Sequence, residues 1–112
     1  MKVIYNGKTI PNVIYKDIIY EAISADKMNY RIKDDSGHKN IYPKSEFKEI
    51  HIICKARYTG KSDDWGCING NIYDITAINY DIFYEVIDET RQTYMYQKNC
   101  FEIIPNKVNI VD

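Results

Sequence analysis

The chain has 112 residues, 45% hydrophobic and 28% charged, which is typical of an ordinary globular protein. Its formal net charge of −1 provides no long-range attraction to nucleic acid or to an anionic membrane. Three cysteines without CxxC spacing (Cys54, Cys67 and Cys100) and the lack of a signal-like opening segment predict free thiols in a reducing cytoplasm. The apolar runs are too short for a membrane span.

The pattern of apolar residues and turn residues predicts ten short strands and no long helix. The first five strands are predicted at 2–5, 19–24, 29–34, 39–42 and 47–50. The second five are predicted at 54–58, 72–78, 82–88, 93–97 and 101–104. Eleven tyrosines and many isoleucines favour strands, and turn residues such as Asn6-Gly7 and Asn69-Gly70 separate them.

These strands form two copies of one sequence pattern. Residues 2–8 are similar to residues 55–61, and residues 42–47 are similar to residues 96–101. The offset grows from 53 to 54, so the second copy has one extra residue between Tyr73 and Tyr84. A period of about fifty residues indicates two copies of one folding unit.

The repeat predicts two domains, at 1–52 and at 53–112, and the second includes a C-terminal tail. Units of this size bury little surface alone, so we expect the two copies to pack against each other. The halves differ slightly in charge, with a net +2 in residues 1–50 and −3 in residues 51–112.

Three segments resemble parts of SH3 domains. Ala56-Arg57-Tyr58 looks like their opening Ala-Leu-Tyr, and residues 62–70 lie where their long acidic loop lies. Residues 42–47, Tyr-Pro-Lys-Ser-Glu-Phe, look like their Ile-Pro-Ser-Asn-Tyr-Val turn. The resemblance implies an all-β fold of two tandem SH3-like five-stranded barrels, of a type found in small bacterial and phage proteins.

Strand alternation predicts which side chains point out of each sheet. In the first copy the outward residues are Asn29, Arg31 and Lys33, and in the second they are Phe83, Glu85 and Ile87. Two apolar residues therefore replace polar ones on the outer face of the second copy. Such an apolar patch either receives the first copy or binds a partner.

The resemblance places Phe83 where SH3 domains keep the tryptophan of their peptide groove. The groove proline is present as Pro43 but is replaced by Gln97 in the second copy. The second groove tyrosine is replaced by Glu46 and by Cys100. Because recognition of PxxP peptides needs aromatic walls, neither copy is expected to bind them.

The single tryptophan, Trp65, lies in the long loop of the second copy. It is either an exposed anchor for a partner or a cover over the open end of the barrel. The predicted contact surface consists of Tyr58, Asp63, Asp64, Trp65, Phe83 and Ile87.

The sequence contains no recognisable catalytic site. His38 and His51 have no second ligand at metal spacing, and the carboxylate pairs at 34–35 and 88–89 recur at equivalent turns. No phosphate-binding loop or nucleophile motif is present. We therefore expect no enzyme activity, no cofactor and no metal.

The leading hypothesis is a non-catalytic protein-interaction module, such as an inhibitor or adaptor encoded by a phage or mobile element. One alternative is single-stranded nucleic-acid binding by the first copy, through basic residues near tyrosines expected to be exposed. These basic residues are Lys27, Arg31, Lys33, Lys39 and Lys44. A second alternative is a small ligand bound between the barrels.

Overall fold

The computed structural model describes residues 1–62 and 66–105. The chain divides into unit 1, Met1–His51, and unit 2, Ile52–Asp112. Three predicted contact residues, Asp63, Asp64 and Trp65, and the tail beyond Pro105 lie outside the described residues. None of the helical segments in the described ranges has the length and apolar character that a membrane span requires.

Unit 1 is one antiparallel sheet of five strands. The strands are β1 (Lys2–Tyr5), β2 (Ile19–Ser24), β3 (Asn29–Lys33), β4 (Lys39–Pro43) and β5 (Phe47–Glu49). Their order in the sheet is β4-β3-β2-β1-β5. A single 3₁₀ turn, Lys44–Glu46, joins the two edge strands.

Unit 2 repeats this arrangement. Its strands are β6 (Cys54–Tyr58), β7 (Ile72–Asn79), β8 (Phe83–Ile87), β9 (Thr93–Gln97) and β10 (Phe101–Ile104), in the order β10-β6-β7-β8-β9. A 3₁₀ turn, Lys98–Cys100, precedes the last strand. The all-β prediction is confirmed, and every predicted strand is present with its ends within one residue.

The sheets are not closed into the predicted barrels, at least among the described residues. In unit 1 the edge strand β5 pairs with β1 and not with β4. Beside the 3₁₀ turn that joins the two edge strands, the Tyr42 and Phe47 ring centroids lie 5.9 Å apart. Tyr96 and Phe101 make the same 5.9 Å contact in unit 2. These ring contacts pack each turn against its core, and among the described residues no backbone ladder joins the two edges.

Each unit has its own hydrophobic core. The buried residues of unit 1 are Val3, Tyr5, Ile14, Tyr20, Ala22 and Ile32. Those of unit 2 are Ala56, Tyr58, Cys67, Tyr73, Ile75, Tyr84 and Val86. The strand alternation is as predicted, because Tyr84 and Val86 are buried while their neighbours on β8 are only partly so. The three cysteines are free thiols.

The extra residue of unit 2 is Thr76, which forms a β-bulge. Ile75 and Ala77 pair with consecutive residues of β8, so the register skips Thr76. In unit 1 the equivalent strands pair without a break. The Thr76 hydroxyl donates to a carboxylate oxygen of Glu85 at 2.8 Å. A bulge bends its strand and increases the local twist, so β7 and β8 are shaped differently from β2 and β3.

Candidate functional site

The predicted contact residues differ in how far they are exposed. Tyr58 belongs to the core of unit 2, with 6% of its surface exposed. Its hydroxyl donates to the carbonyl oxygen of Lys61 at 2.8 Å, so it stabilises the following loop. Phe83 and Ile87 are partly buried on β8 and alternate with the buried Tyr84 and Val86. Of the described residues in the predicted surface, Phe83 and Ile87 are therefore the two whose side chains are partly exposed.

Phe83 lies at one corner of the outer face of unit 2. Directly opposed residues of an antiparallel pair share a face, which defines three rows across β8 and β9. These rows are Phe83 with Gln97, Glu85 with Met95, and Ile87 with Thr93.

A cleft opens beside Phe83, with a volume of about 390 Å³. Its lining residues are Asp81, Ile82, Phe83, Gln97, Lys98 and Asn99, which we call the Phe83 cleft. The backbone N–H of Lys98 donates to the carbonyl oxygen of Ile82 at 3.0 Å, which holds the two sides together. The lining of the cleft thus combines an aromatic residue with one acidic and one basic residue.

The turn between β7 and β8 presents an exposed aromatic residue next to the cleft. Tyr80 is 86% exposed, the highest value among the exposed large hydrophobic residues of the described chain. Tyr80 and Asp81 have φ angles of 54° and 59°, and the N–H of Ile82 donates to the carbonyl oxygen of Asn79 at 3.2 Å. Two consecutive positive φ angles define a type I′ turn, for which Asn-Gly is the favoured pair. Tyrosine and aspartate therefore hold a strained conformation here.

Unit 1 provides an internal comparison for this turn. Asp26 stands at the position equivalent to Tyr80, and no residue of 24–29 has a positive φ. The Asp26 carboxylate accepts hydrogen bonds from the N–H groups of Met28 and Asn29 at 2.8 and 2.9 Å. The turn of unit 1 is thus satisfied by its own side chain. Unit 2 lacks that arrangement and has a tyrosine at the equivalent position.

The equivalent outer face of unit 1 has a different character. Asn29 replaces Phe83, Arg31 replaces Glu85 and Lys33 replaces Ile87. Lys33 lies directly opposite Lys39 across β3 and β4, so two positive charges are adjacent. The apolar and acidic face of unit 2 therefore corresponds to a basic face on unit 1.

The tyrosines of unit 1 are not exposed, contrary to expectation. Tyr5 and Tyr20 are buried, and Tyr15, Tyr30 and Tyr42 are half-buried. The Tyr30 ring packs edge-on against Phe47 at 5.9 Å, and the Lys44 ammonium lies 5.2 Å from its centroid. These tyrosines pack against one another and against Phe47, and two of their hydroxyls donate to aspartates. A core this small is filled by a few large side chains, so the rings lie inside it. The basic face of unit 1 therefore lacks free aromatic rings for stacking on bases.

The recurring carboxylate pair at residues 34–35 is structural. Asp34 is 4% exposed and accepts hydrogen bonds from the Tyr42 hydroxyl at 2.6 Å, the Asn40 amide at 2.7 Å and Ser36. Burial alone would raise the pKa of Asp34, but these hydrogen bonds to the charged form lower it to about 2. Asp35 accepts from the Tyr20 hydroxyl at 2.6 Å.

Unit 2 builds the same turn from equivalent residues. Asp88 accepts a hydrogen bond from the Tyr96 hydroxyl at 2.7 Å and another from the N–H of Thr90 at 2.9 Å. Glu89 accepts from the Tyr73 hydroxyl at 2.7 Å, and burial raises the pKa of that tyrosine to about 12. In both units, therefore, each carboxylate of the pair accepts a hydrogen bond from a tyrosine hydroxyl, and these bonds stabilise the turn. The shared turn geometry accounts for the recurrence of both pairs.

Within the described ranges, no three histidine, cysteine or acidic side chains come together in a way that could hold a metal ion. The sequence matches no protein-family model, and comparison with curated proteins and with solved structures finds no match.

Proposed function

We propose that the protein is a non-catalytic interaction module that binds another protein through the Phe83 cleft of unit 2. The observation that carries the proposal is the strained turn that holds Tyr80 exposed beside Phe83. Strained backbone conformations cluster at functional sites, and unit 1 forms its equivalent turn without positive φ angles. Tyrosine and other aromatic residues contribute most of the binding energy in many interfaces.

The cleft indicates what the partner contributes. Phe83 and Ile82 offer an apolar surface, while Asp81 and Lys98 provide one charge of each sign. We therefore infer a partner segment with one apolar side chain for the cleft and polar groups on either side of it. In unit 2, Gln97 replaces the groove proline and Cys100 replaces the second groove tyrosine, so we propose a partner outside the PxxP class.

The resemblance to SH3-like units belongs to this proposal. Phe83 and Gln97 lie together in one cleft, and a 3₁₀ turn precedes the last strand of each unit. Both features support the peptide-groove interpretation of this corner of the sheet. A phage or mobile-element inhibitor or adaptor acting in a bacterial cytoplasm is the biological setting that we propose.

The test is native mass spectrometry of the protein recovered from a lysate of its host cell, using the wild type and two variants. Phe83→Ser removes the ring from the cleft, and Asn29→Ser makes a matched change at the equivalent position of unit 1. We expect a second polypeptide on the wild type and on Asn29→Ser, and a bare chain for Phe83→Ser. Circular dichroism and a melting curve establish that each variant is folded.

Retention of the polypeptide by a folded Phe83→Ser variant would contradict the proposal. An added mass of small-molecule size in place of a polypeptide would instead favour the ligand-binding alternative.

The basic face of unit 1 favours nucleic acid as a second candidate ligand. Arg31, Lys33 and Lys39 are exposed on one face of β3 and β4, where a phosphate backbone would neutralise them. The half-buried tyrosines weaken this candidate, because stacking supplies much of the affinity for single strands. Titration of a labelled single-stranded oligonucleotide across a salt series tests it, since affinity that does not change with salt would exclude phosphate contact.

A further inference from the structure

We infer that the protein self-associates through antiparallel pairing of β9 with β9 of a second copy. Strand β9 pairs with β8 along its whole length and forms one edge of the unit 2 sheet. In the described part of the chain, no other strand pairs with its second side. An edge strand of this kind presents unpaired backbone groups to any strand that can approach it.

The composition of β9 sets it apart from the other edge strands. Natural sheets protect their edges with charges, proline or very short strands. The edge strand β4 contains Lys39 and Pro43, β5 has only three residues, and β10 contains Glu102. Strand β9 reads Thr-Tyr-Met-Tyr-Gln, without charge, proline or glycine. Among the described edge strands, β9 is therefore the one with neither a charge nor a proline nor a very short length.

The same composition favours β9 of a second copy as the strand that pairs with this edge. A strand without charge meets no electrostatic repulsion from an identical strand, and its tyrosines and threonine favour the extended conformation. The exposed side chains of β9 are apolar in part, since Tyr94 and Met95 are 50% and 51% exposed. Two copies can bury these side chains against each other around a two-fold axis, as in most homodimers.

One register satisfies the symmetry and the alternation of the sheet. Pairing centred on Met95 places Met95 opposite its own symmetry mate, and it places Tyr94 opposite Tyr96 of the second copy. In this register the two residue numbers of every opposed pair differ by an even number. Side chains on the outer face of one copy therefore lie beside outer-face side chains of the other copy. The half-exposed Tyr94 would then pack beside the Tyr96 ring that the core of the second copy already holds.

The dimer would carry two Phe83 clefts on one continuous face. Phe83 lies opposite Gln97, which in this register lies opposite Thr93 of the second copy. A target with two binding segments could then engage both clefts and gain avidity. The self-association itself does not depend on the proposed function, so either can fail without the other.

Sedimentation equilibrium over a dilution series tests the inference with matched variants. We expect the wild type to approach twice the 13.2 kDa of one chain as concentration rises. Met95→Lys introduces charge at the centre of the edge and should lose the dimer. Ile41→Lys makes the same change at the equivalent exposed position of β4 and should keep it. A wild type that stays monomeric throughout, or a dimer that tolerates Met95→Lys, would overturn the inference.

A cysteine scan tests the register. Met95→Cys places two thiols at the two-fold axis, where directly opposed residues fall within the range of about 4.4–6.8 Å between Cα atoms that a disulfide requires. In the same register, two Gln97→Cys positions lie roughly 14 Å apart at a rise of about 3.4 Å per residue. We expect peptide mapping after mild oxidation to find the 95–95 disulfide and no 97–97 disulfide. Equal cross-linking of both variants, or none at position 95, would contradict the pairing.

Discussion

Relief of the strained turn between β7 and β8 should stabilise the fold. Replacing Tyr80 and Asp81 with Asn-Gly supplies the pair that a type I′ turn favours. A left-handed conformation costs about 1–2 kcal/mol for a residue with a Cβ, and two residues adopt it here. The added glycine loses about 0.5–1 kcal/mol through the greater entropy of the unfolded chain. Since Tyr80 is 86% exposed, its removal sacrifices little packing.

The expected net gain is about 1 kcal/mol in the free energy of unfolding, after allowance for the partial tolerance of aspartate. Urea denaturation measures it as a higher midpoint with an unchanged slope. The reverse outcome is expected for the matched pair Asp26→Asn with Lys27→Gly in unit 1. That turn has no positive φ, and the Asp26 carboxylate already accepts backbone hydrogen bonds.

The reasoning about strain would be refuted by a Tyr80→Asn, Asp81→Gly variant that is no more stable than the wild type. It would also fail if the matched change in unit 1 were equally stabilising, because glycine would then act without regard to the turn type. According to the proposed function, the stabilised variant also binds its partner more weakly, because it lacks the exposed ring of Tyr80.

Two further predictions concern the cores of the units. Acid should destabilise unit 1 as the pH falls from about 4 to about 2, because the pKa of Asp34 is lowered from 3.8 to about 2 in the folded state. The ionised Asp34 carboxylate thus contributes about 2 kcal/mol to the free energy of unfolding, fully present above the unfolded pKa. In the Asp34→Asn variant, the urea midpoint should lose this part of its pH dependence. Gly60→Ala should destabilise unit 2 by about 1–3 kcal/mol, because the added Cβ would lie 2.6 Å from the hydroxyl oxygen of Tyr58. A thermal melt with an unchanged midpoint would contradict this close packing.

Much of the fold could be predicted because its signals are local. Alternating side chains and turn residues define each strand within a few positions, and the repeat allowed each copy to confirm the other. The inward positions of Tyr84 and Val86 followed from the same alternation. The bulge could be predicted only as an extra residue between Tyr73 and Tyr84. Its place at Thr76 depends on how two strands pair, which the spacing does not reveal.

The candidate site depended on longer-range geometry. The sequence predicts Phe83 as a contact residue from its apolar character at an outward position, but the other residues of its cleft come from a turn and a 3₁₀ segment that meet only in the fold. The strain at Tyr80 could not be predicted, because tyrosine carries no signal for a positive φ. Tyr58 was expected at a surface and lies in the core, since a residue's neighbours across the sheet decide its burial.

Calorimetric titration of the recovered partner with wild type, Phe83→Ser and Asn29→Ser tests the central claim most directly. The account predicts that Phe83→Ser weakens binding at least about thirtyfold, as expected for a residue worth about 2 kcal/mol at an interface. It predicts that Asn29→Ser binds like the wild type. Equal affinity for all three proteins, each shown to be folded, would contradict the account and would assign Phe83 a packing role alone.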